Sequence, residues 1–178
     1  MTDEVIISDA KPEDALEINH LYYEAWLKTY PNEKAGITVD DIEDSYKDEF
    51  TDEKIENLKK IIRELPKNKK RLLAKIEDKI VGSCVVSIGE ETNFLVTIYV
   101  LPGYEGRGIG TKMWDVARNF LDKNKDTIVT VAEYTNAVHF YKKLGFIETG
   151  KRIVDDKHKM KSGNIIPELE MKLDKSLL

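Results

Sequence analysis

The 178 residues include 28 Lys and Arg against 33 Asp and Glu, a formal charge of -5, and the pI is near 5.4. That balance argues against a general nucleic-acid binder, which needs a basic face, and no apolar run approaches the ~18 residues that span a bilayer. A single cysteine, Cys84, excludes an internal disulfide and four-cysteine zinc sites.

In chain order, residues 4–8 read as a short strand. Pro12 opens a helix to about residue 29, with apolar positions 15, 18, 21, 22, 25 and 26 on one face. Pro31, Asn32 and Gly36 mark a loop. Thr38 caps a second helix over 39–50, and Thr51 or Asp52 caps a third that ends before Pro66. Residues 72–76 and 80–88 form a hairpin across Glu77-Asp78-Lys79, with Cys84 as a small core residue of its second strand. A β-branched run over 94–101 stops at Pro102, and a helix follows over 108–123 with Ile109, Met113, Val116, Ala117, Phe120 and Leu121 facing inward. Residues 127–131 alternate as a strand. Asn136 then caps a helix whose apolar positions 137, 140, 141 and 144 share a face, and Gly145 ends it. A strand through 154, a turn at Ser162-Gly163-Asn164 and a strand to 173 complete the chain. Strands clustered in the middle, with helices before and between them, predict one α+β domain over 1–178 in three layers. The basic runs 67–71 and 157–161 read as solvated loops before strands.

The densest chemical signal is the junction Tyr99-Val100-Leu101-Pro102-Gly103-Tyr104-Glu105-Gly106-Arg107-Gly108-Ile109-Gly110-Thr111-Lys112. Strand, glycine-rich turn and helix aim unpaired backbone N–H groups and the positive end of a helix dipole at one point, where a phosphate is the expected guest. A P-loop fails here, because Gly108 is followed by Ile109 rather than lysine. A dinucleotide fingerprint counted from Gly106 fails at Thr111.

Downstream, Asn136-Ala137-Val138-His139-Phe140-Tyr141-Lys142-Lys143-Leu144-Gly145-Phe146 supplies a second motif. With Val100, Pro102, Gly108 and Gly110 before it and Asn136, Phe140, Tyr141, Gly145 and Phe146 within it, the chain resembles the GNAT superfamily of acetyl-CoA-dependent N-acetyltransferases. The likeness is clear over 71–146. It implies a GNAT-like three-layer α/β/α domain with a mixed, mostly antiparallel central sheet. One departure is Glu105, where the family usually has Gln or Arg. A carboxylate beside a polyanion costs affinity, and Arg107 is placed to offset it.

The resemblance also implies a site. The backbone of Ile98, Tyr99 and Val100 would hold the pantetheine arm and thioester. Gly106, Arg107, Gly108, Ile109, Gly110 and Thr111 would take the pyrophosphate, with Asn136, Phe140 and Tyr141 along the arm. Tyr141 matches the family's general acid near the sulfur. No general base carries over: the glutamate that some relatives have six residues before the Val is Phe94 here, and Glu90, Glu91 and Glu133 are only neighbours in sequence. Trp26 and Tyr30, in Ala25-Trp26-Leu27-Lys28-Thr29-Tyr30, are similar to an acceptor-side motif of many members, including the PaiA-like polyamine acetyltransferase branch. The acidic residues Asp40, Asp41, Glu43, Asp44, Asp48, Glu49, Asp52 and Glu53 would draw a cationic amine, or simply form a solvated face.

The leading expectation is acetyl transfer from acetyl-CoA, as co-substrate and without a metal, to the primary amine of a small molecule, with a polyamine among the candidates. A protein α-amine or lysine is the alternative acceptor, and a non-catalytic acetyl-CoA-binding module is the alternative class. His20, His139 and His158 have no metal-ligand spacing. Composition and a start, Met1-Thr2-Asp3-Glu4, without the basic and apolar regions of a signal peptide point to a cytoplasmic protein with no membrane or nucleic-acid partner. A homodimer is left open.

Overall fold

The alternation of apolar and polar residues after Pro66 makes the first long hairpin, and the rest of the sheet is built outward from it. The structure, a computed structural model, describes residues 4–154 and 159–178. β1 (Val5–Asp9) is followed by one 3-10 turn at Pro12–Asp14 and by α1 (Ala15–Thr29), α2 (Val39–Tyr46) and α3 (Asp52–Arg63). β2 (Lys69–Ile76), β3 (Lys79–Ile88) and β4 (Asn93–Val100) form the meander. Then come α4 (Ile109–Ala117), β5 (Thr127–Ala132), α5 (Ala137–Lys143), β6 (Ile147–Ile153) and β7 (Glu168–Leu173). The seven strands lie in the order β1-β2-β3-β4-β5-β7-β6. All pairs are antiparallel except β4–β5, so the sheet is mixed and mostly antiparallel, as expected.

One face of the sheet packs against α4 and α5 through Leu72, Cys84, Leu95, Met113, Trp114, Tyr141 and Phe146. The other packs against α1 and α3 through Ile18, Leu21, Ile55, Leu73, Ile80 and Leu101. A third group joins Ile37, Ile42 and Ala132, flanked by Trp26 and Tyr30. Three layers follow from strands that are apolar on both faces and therefore need cover on both.

The feature that makes the site is a bulge in β4. Val85 opposes Thr97 and Val86 opposes Leu95, so Val96 has no partner on β3. The extra residue bends the strand and reverses which face the following side chains meet. β4 and β5 pair only at Asn93↔Thr127 and Phe94↔Ile128, and beyond those two positions the strands part.

Several expectations need correction. The helix expected over 39–50 stops at Tyr46: beyond it Lys47 N, Glu49 N and Thr51 N bond carbonyls three residues back, those of Asp44, Tyr46 and Asp48, and Asn19 Nδ2 donates to the Glu49 carbonyl at 2.7 Å. The turn that follows frees Thr51 to cap α3, with Lys54 N donating to Thr51 Oγ1. The helix expected over 108–123 stops at Ala117. Asn119 Nδ2 claims the Asp115 carbonyl at 2.7 Å and Lys123 Nζ the Arg118 carbonyl at 2.8 Å, side-chain bonds that compete with helix continuation. Val116, expected inward, is 41% exposed, and Trp114 takes the core position instead, with its ring 5.6 Å from that of Phe146. The α-helical part of the first helix begins at Ala15 rather than Pro12. Lys157 and His158, in the second basic run, lie outside the described residues.

Candidate active site

Where β4 and β5 diverge, a cleft of about 820 Å³ runs through the sheet. Its walls come from both layers: Ala25, Lys28, Thr29 and Tyr30 of the α1 end, residues 96–100 of β4, the glycine loop, residues 130–132 of β5, and Asn136, Ala137, Phe140 and Tyr141. Among the described residues no strand covers the β5-facing edge of β4 from Leu95 onward, so its outward backbone groups are open to bond a guest.

At one end of the cleft lies the glycine loop. Gly103, Gly106 and Gly108 have φ of 88°, 75° and 77°, and a Cβ on any of them would meet nothing within 4 Å. The left-handed turns need glycine and the loop surface is open. α4 starts from left-handed Gly108, and its first intrahelical bond is Lys112 N to Gly108 O at 2.9 Å. The N–H groups of Ile109, Gly110 and Thr111 therefore have no helical carbonyl and face the cleft end. Gly110 serves a different purpose, since a Cβ there would stand 3.1 Å from Phe140 Cζ. That closeness seats the Phe140 ring against the helix start.

Glu105 turns inward on its own loop, its Oε2 accepting from Gly103 N at 2.6 Å. Arg107 Nη2 donates to the Gly103 carbonyl at 3.1 Å, and the guanidinium lies 5.0 Å from the centre of the Tyr104 ring. Unlike its neighbours, Arg107 does not line the cleft. Asn136 precedes α5 but makes no side-chain capping bond, which leaves its amide turned to other use than the expected cap.

Tyr141 is buried between Phe140 and Phe146, with ring centres 5.4 and 5.7 Å away. Burial, aided by the neighbouring Tyr99 and Cys84, pushes its hydroxyl well above the usual phenol range. Among the described residues nothing hydrogen-bonds that hydroxyl.

At the opposite side, Tyr30 and Tyr99 exchange a hydrogen bond of 2.7 Å between hydroxyls, and the rings of Trp26 and Tyr30 meet at 4.6 Å. Tyr30 lines the cleft and Trp26 stands behind it. Tyr134 donates from its hydroxyl to the Tyr30 carbonyl at 2.8 Å, strapping the β5–α5 connection to the end of α1. Sequence reasoning missed this strap and the lining Thr97 and Thr130, which carry no motif.

The acidic residues of 40–53 are elsewhere. None lines the cleft. The Asp41 carboxylate accepts from Thr38, the N-terminal cap residue of α2, at 2.9 Å, Asp44 pairs with Lys47 at 3.2 Å, and Glu49 pairs with Lys54 at 2.9 Å. Of the acids near the expected base, Glu133 meets Arg152 at 3.1 Å, and neither it nor Glu90 nor Glu91 lines the cleft. Among the described residues no helix is long and apolar enough to cross a membrane.

Residues 27–161 match the family described as the acetyltransferase (GNAT) domain. Among solved structures, the chain is similar to the PaiA N-acetyltransferase of Thermoplasma acidophilum in complex with coenzyme A, at 19% identity and a TM-score of 0.67, covering 95% of this chain and 98% of that one. An acetyltransferase of the GNAT family from Streptococcus pneumoniae gives 23% identity and a TM-score of 0.68 over 96% and 98%. The ribosomal-protein-S18-alanine N-acetyltransferase of Escherichia coli gives 14% and 0.62 over 96% and 93%. Identities this low speak to the fold alone. Among curated protein sequences none matches the chain.

Proposed function

The chain belongs to the GNAT acetyltransferase family, and we propose that it moves an acetyl group from acetyl-CoA to the primary amine of a small molecule. The observation that carries this reading is the Tyr141 phenol, buried and without a described hydrogen-bond partner, in the wall of a cleft whose far end is the open glycine loop. Acetyl-CoA supplies the activated thioester. The N–H groups from Gly106 to Thr111 suit its pyrophosphate, the unpaired edge of β4 at Ile98, Tyr99 and Val100 suits the pantetheine amides, and Asn136 and Phe140 flank the arm. The open Cβ positions of the loop support that fit.

Tyr141 holds its proton through the pH range in which an amine titrates, so it is available to donate to a departing thiolate, whose conjugate acid has a pKa of about 8.5 by analogy with cysteine. The attacking amine, with a pKa of about 10.4, must first lose its own proton. Among the described residues lining the cleft the only carboxylate is that of Glu105, which is held by Gly103. Water is left to carry that proton away. The Tyr134–Tyr30 strap across the acceptor side favours a small molecule over a peptide in an open groove.

The test is acetyl-CoA-dependent thiol release with pooled amines near pH 8. Burial pushes Cys84 up to about 12, so the folded protein adds no thiol background. Tyr141→Phe is expected to lower kcat about 100-fold, with the Kd for acetyl-CoA within a factor of about two. The parent rate should rise with pH toward the amine pKa. Because the phenol is active when protonated and its pKa lies above the usual 10, no alkaline fall should appear below about pH 10. Equal losses of kcat and acetyl-CoA affinity in the variant would remove Tyr141 from the chemistry.

A further inference from the structure

Resting on that reading of the cleft, we infer that the protein acetylates itself: Lys28, on the acceptor wall, takes the acetyl group of bound acetyl-CoA when no free amine is there to receive it. Lys28 is thereby both a modification site and an acceptor built into the cleft.

Among the described residues two lysines line the cleft, Lys28 on α1 and Lys143 on α5, and they stand on different walls of it. α5 is seated on the glycine loop, since a Cβ on Gly110 would come within 3.1 Å of the Phe140 ring. Lys143 follows Phe140 by three residues and shares its face of α5, toward the phosphate end. Lys28 belongs to the opposite, acceptor wall with Thr29 and Tyr30. It is exposed, and its ammonium makes no ion pair with any described residue. No described partner therefore holds it away from the cleft.

The end of α1 that carries Lys28 is fixed to the strand whose backbone suits the thioester. Ala25, Lys28 and Thr29 all line the cleft, and at spacings of three and four they share one helix face. Tyr30 N closes the helix on the Trp26 carbonyl at 3.0 Å, the Tyr30 hydroxyl meets that of Tyr99 at 2.7 Å, and Tyr134 donates to the Tyr30 carbonyl at 2.8 Å. Lys28 thus stands two residues from an anchor on β4 itself, within the stretch Ile98 to Val100. Its flexible four-carbon stem carries the nitrogen roughly 6 Å from Cα and sweeps the acceptor side of the cleft. Holding an amine there raises its effective concentration far above that of an amine in solution.

The step balances as it does for a free amine. Water takes one proton from the Lys28 ammonium, and the neutral nitrogen attacks the thioester carbonyl. The C–N bond forms, the C–S bond breaks, and the departing thiolate takes a proton from Tyr141, which regains one as the new amide nitrogen sheds its excess proton. The products are CoA thiol and acetylated Lys28, in equal amounts. The modified side chain has lost its charge and its nucleophile, so the acceptor wall changes once and the self-reaction stops.

The experiment incubates the full chain with acetyl-CoA and no added amine, at a low and a high protein concentration, and follows the acetyl occupancy of each lysine by peptide mass spectrometry. Lys28 should be marked at least about tenfold faster than Lys143, or than Lys34, which is exposed and outside the cleft. The fraction marked per minute should not depend on protein concentration, as for a reaction within one chain, and a burst of thiol stoichiometric with the chain should accompany it. Lys28→Arg should abolish the burst. Lys28 is exposed, so this variant is expected to fold, and an unchanged acetyl-CoA Kd reports that it has. Tyr141→Phe should slow the mark at Lys28 about 100-fold and leave that at Lys34 as it was. Uniform labelling of exposed lysines, labelling of Lys143 ahead of Lys28, or a fractional rate that rises with protein concentration overturns the inference. Thiol release with added amines while Lys28 stays unmodified also overturns it, and upholds acetyl transfer to a free acceptor. Selective labelling of Lys28 without thiol release for any added amine leaves the inference standing and counts against the small-molecule reading.

Discussion

At the scale of single residues, Glu105 is the informative departure. Its position was legible in the sequence because the loop motif fixes the register, but its partner was not. The carboxylate folds back on Gly103 N at 2.6 Å, and so stabilises the loop while adding a negative charge near the helix start that suits phosphate. Arg107, expected to compensate beside the pyrophosphate, instead spans the loop to the Gly103 carbonyl and the Tyr104 face. Spacing could not foretell that choice, since a long side chain picks its partner in three dimensions. The consequence is a carboxylate that makes no ion pair with any described residue. Glu105→Gln keeps an acceptor for Gly103 N and should tighten acetyl-CoA binding about two- to tenfold in ~10 mM salt, where charges reach about 30 Å. In ~1 M salt, with a reach of about 3 Å, the gain should vanish. A titration series that shows no gain at low salt would mean the loop amides dominate completely.

At the scale of elements, the strand–loop–helix order was readable because glycines, a proline and the 3.6-residue period all agree there. The ends of α2 and α4 were not. Apolar periodicity continues through Phe120 and Leu121, which still pack on the core, while the backbone has already been ended by Asn119 and Lys123 side chains. The β4 bulge left no signal at all, because Val96 is a good strand residue whose lack of a partner shows only in the register. One further element-level contact joins distant segments. Asp41 accepts from Thr38 N and Thr38 Oγ1, each at 2.9 Å, and from Ser162 N at 2.7 Å, so the cap of α2 also holds the turn before β7. Burial would raise this carboxyl, but the Thr38 and Ser162 bonds outweigh it and hold it below the usual range. With a folded pKa lower than the unfolded value of about 3.9, the contribution is present above pH ~4 and is lost as pH falls through the folded pKa. Asp41→Asn is expected to cost about 1–3 kcal/mol in urea unfolding at pH 7. The gap between variant and parent should shrink on moving to pH 3. A gap that keeps its size at pH 3 would assign the effect to shape rather than to the carboxylate.

At the scale of the whole molecule, the cleft exists because two half-sheets share one short seam. β1 to β4 form one half and β5 to β7 the other, and the seam is two residue pairs long. Asn93 sits at its start, fully buried. Its Nδ2 donates to the carbonyls of Asp122 and Lys125, both at 2.9 Å, its Oδ1 accepts from Asp122 N at 3.1 Å, and its backbone N donates to the Asp126 carbonyl at 2.8 Å. One side chain thus ties β4 to the connection that leads into β5 and fixes where the strands begin to part. Asn93→Ala leaves the two carbonyls without that donor and should cost about 2–4 kcal/mol, lowering Tm by about 4–16 °C for a chain of this size. Because the seam sets the separation of the cleft walls, ligand binding to the variant must also order what the parent holds ready. Acetyl-CoA at about 100 times its Kd adds about 2.7 kcal/mol to the parent, and at the same concentration it should add visibly less to Asn93→Ala. Scans with and without acetyl-CoA give both quantities from one set of samples. A variant that loses stability yet gains as much from acetyl-CoA as the parent would show that the latch holds the halves together without shaping the space between them.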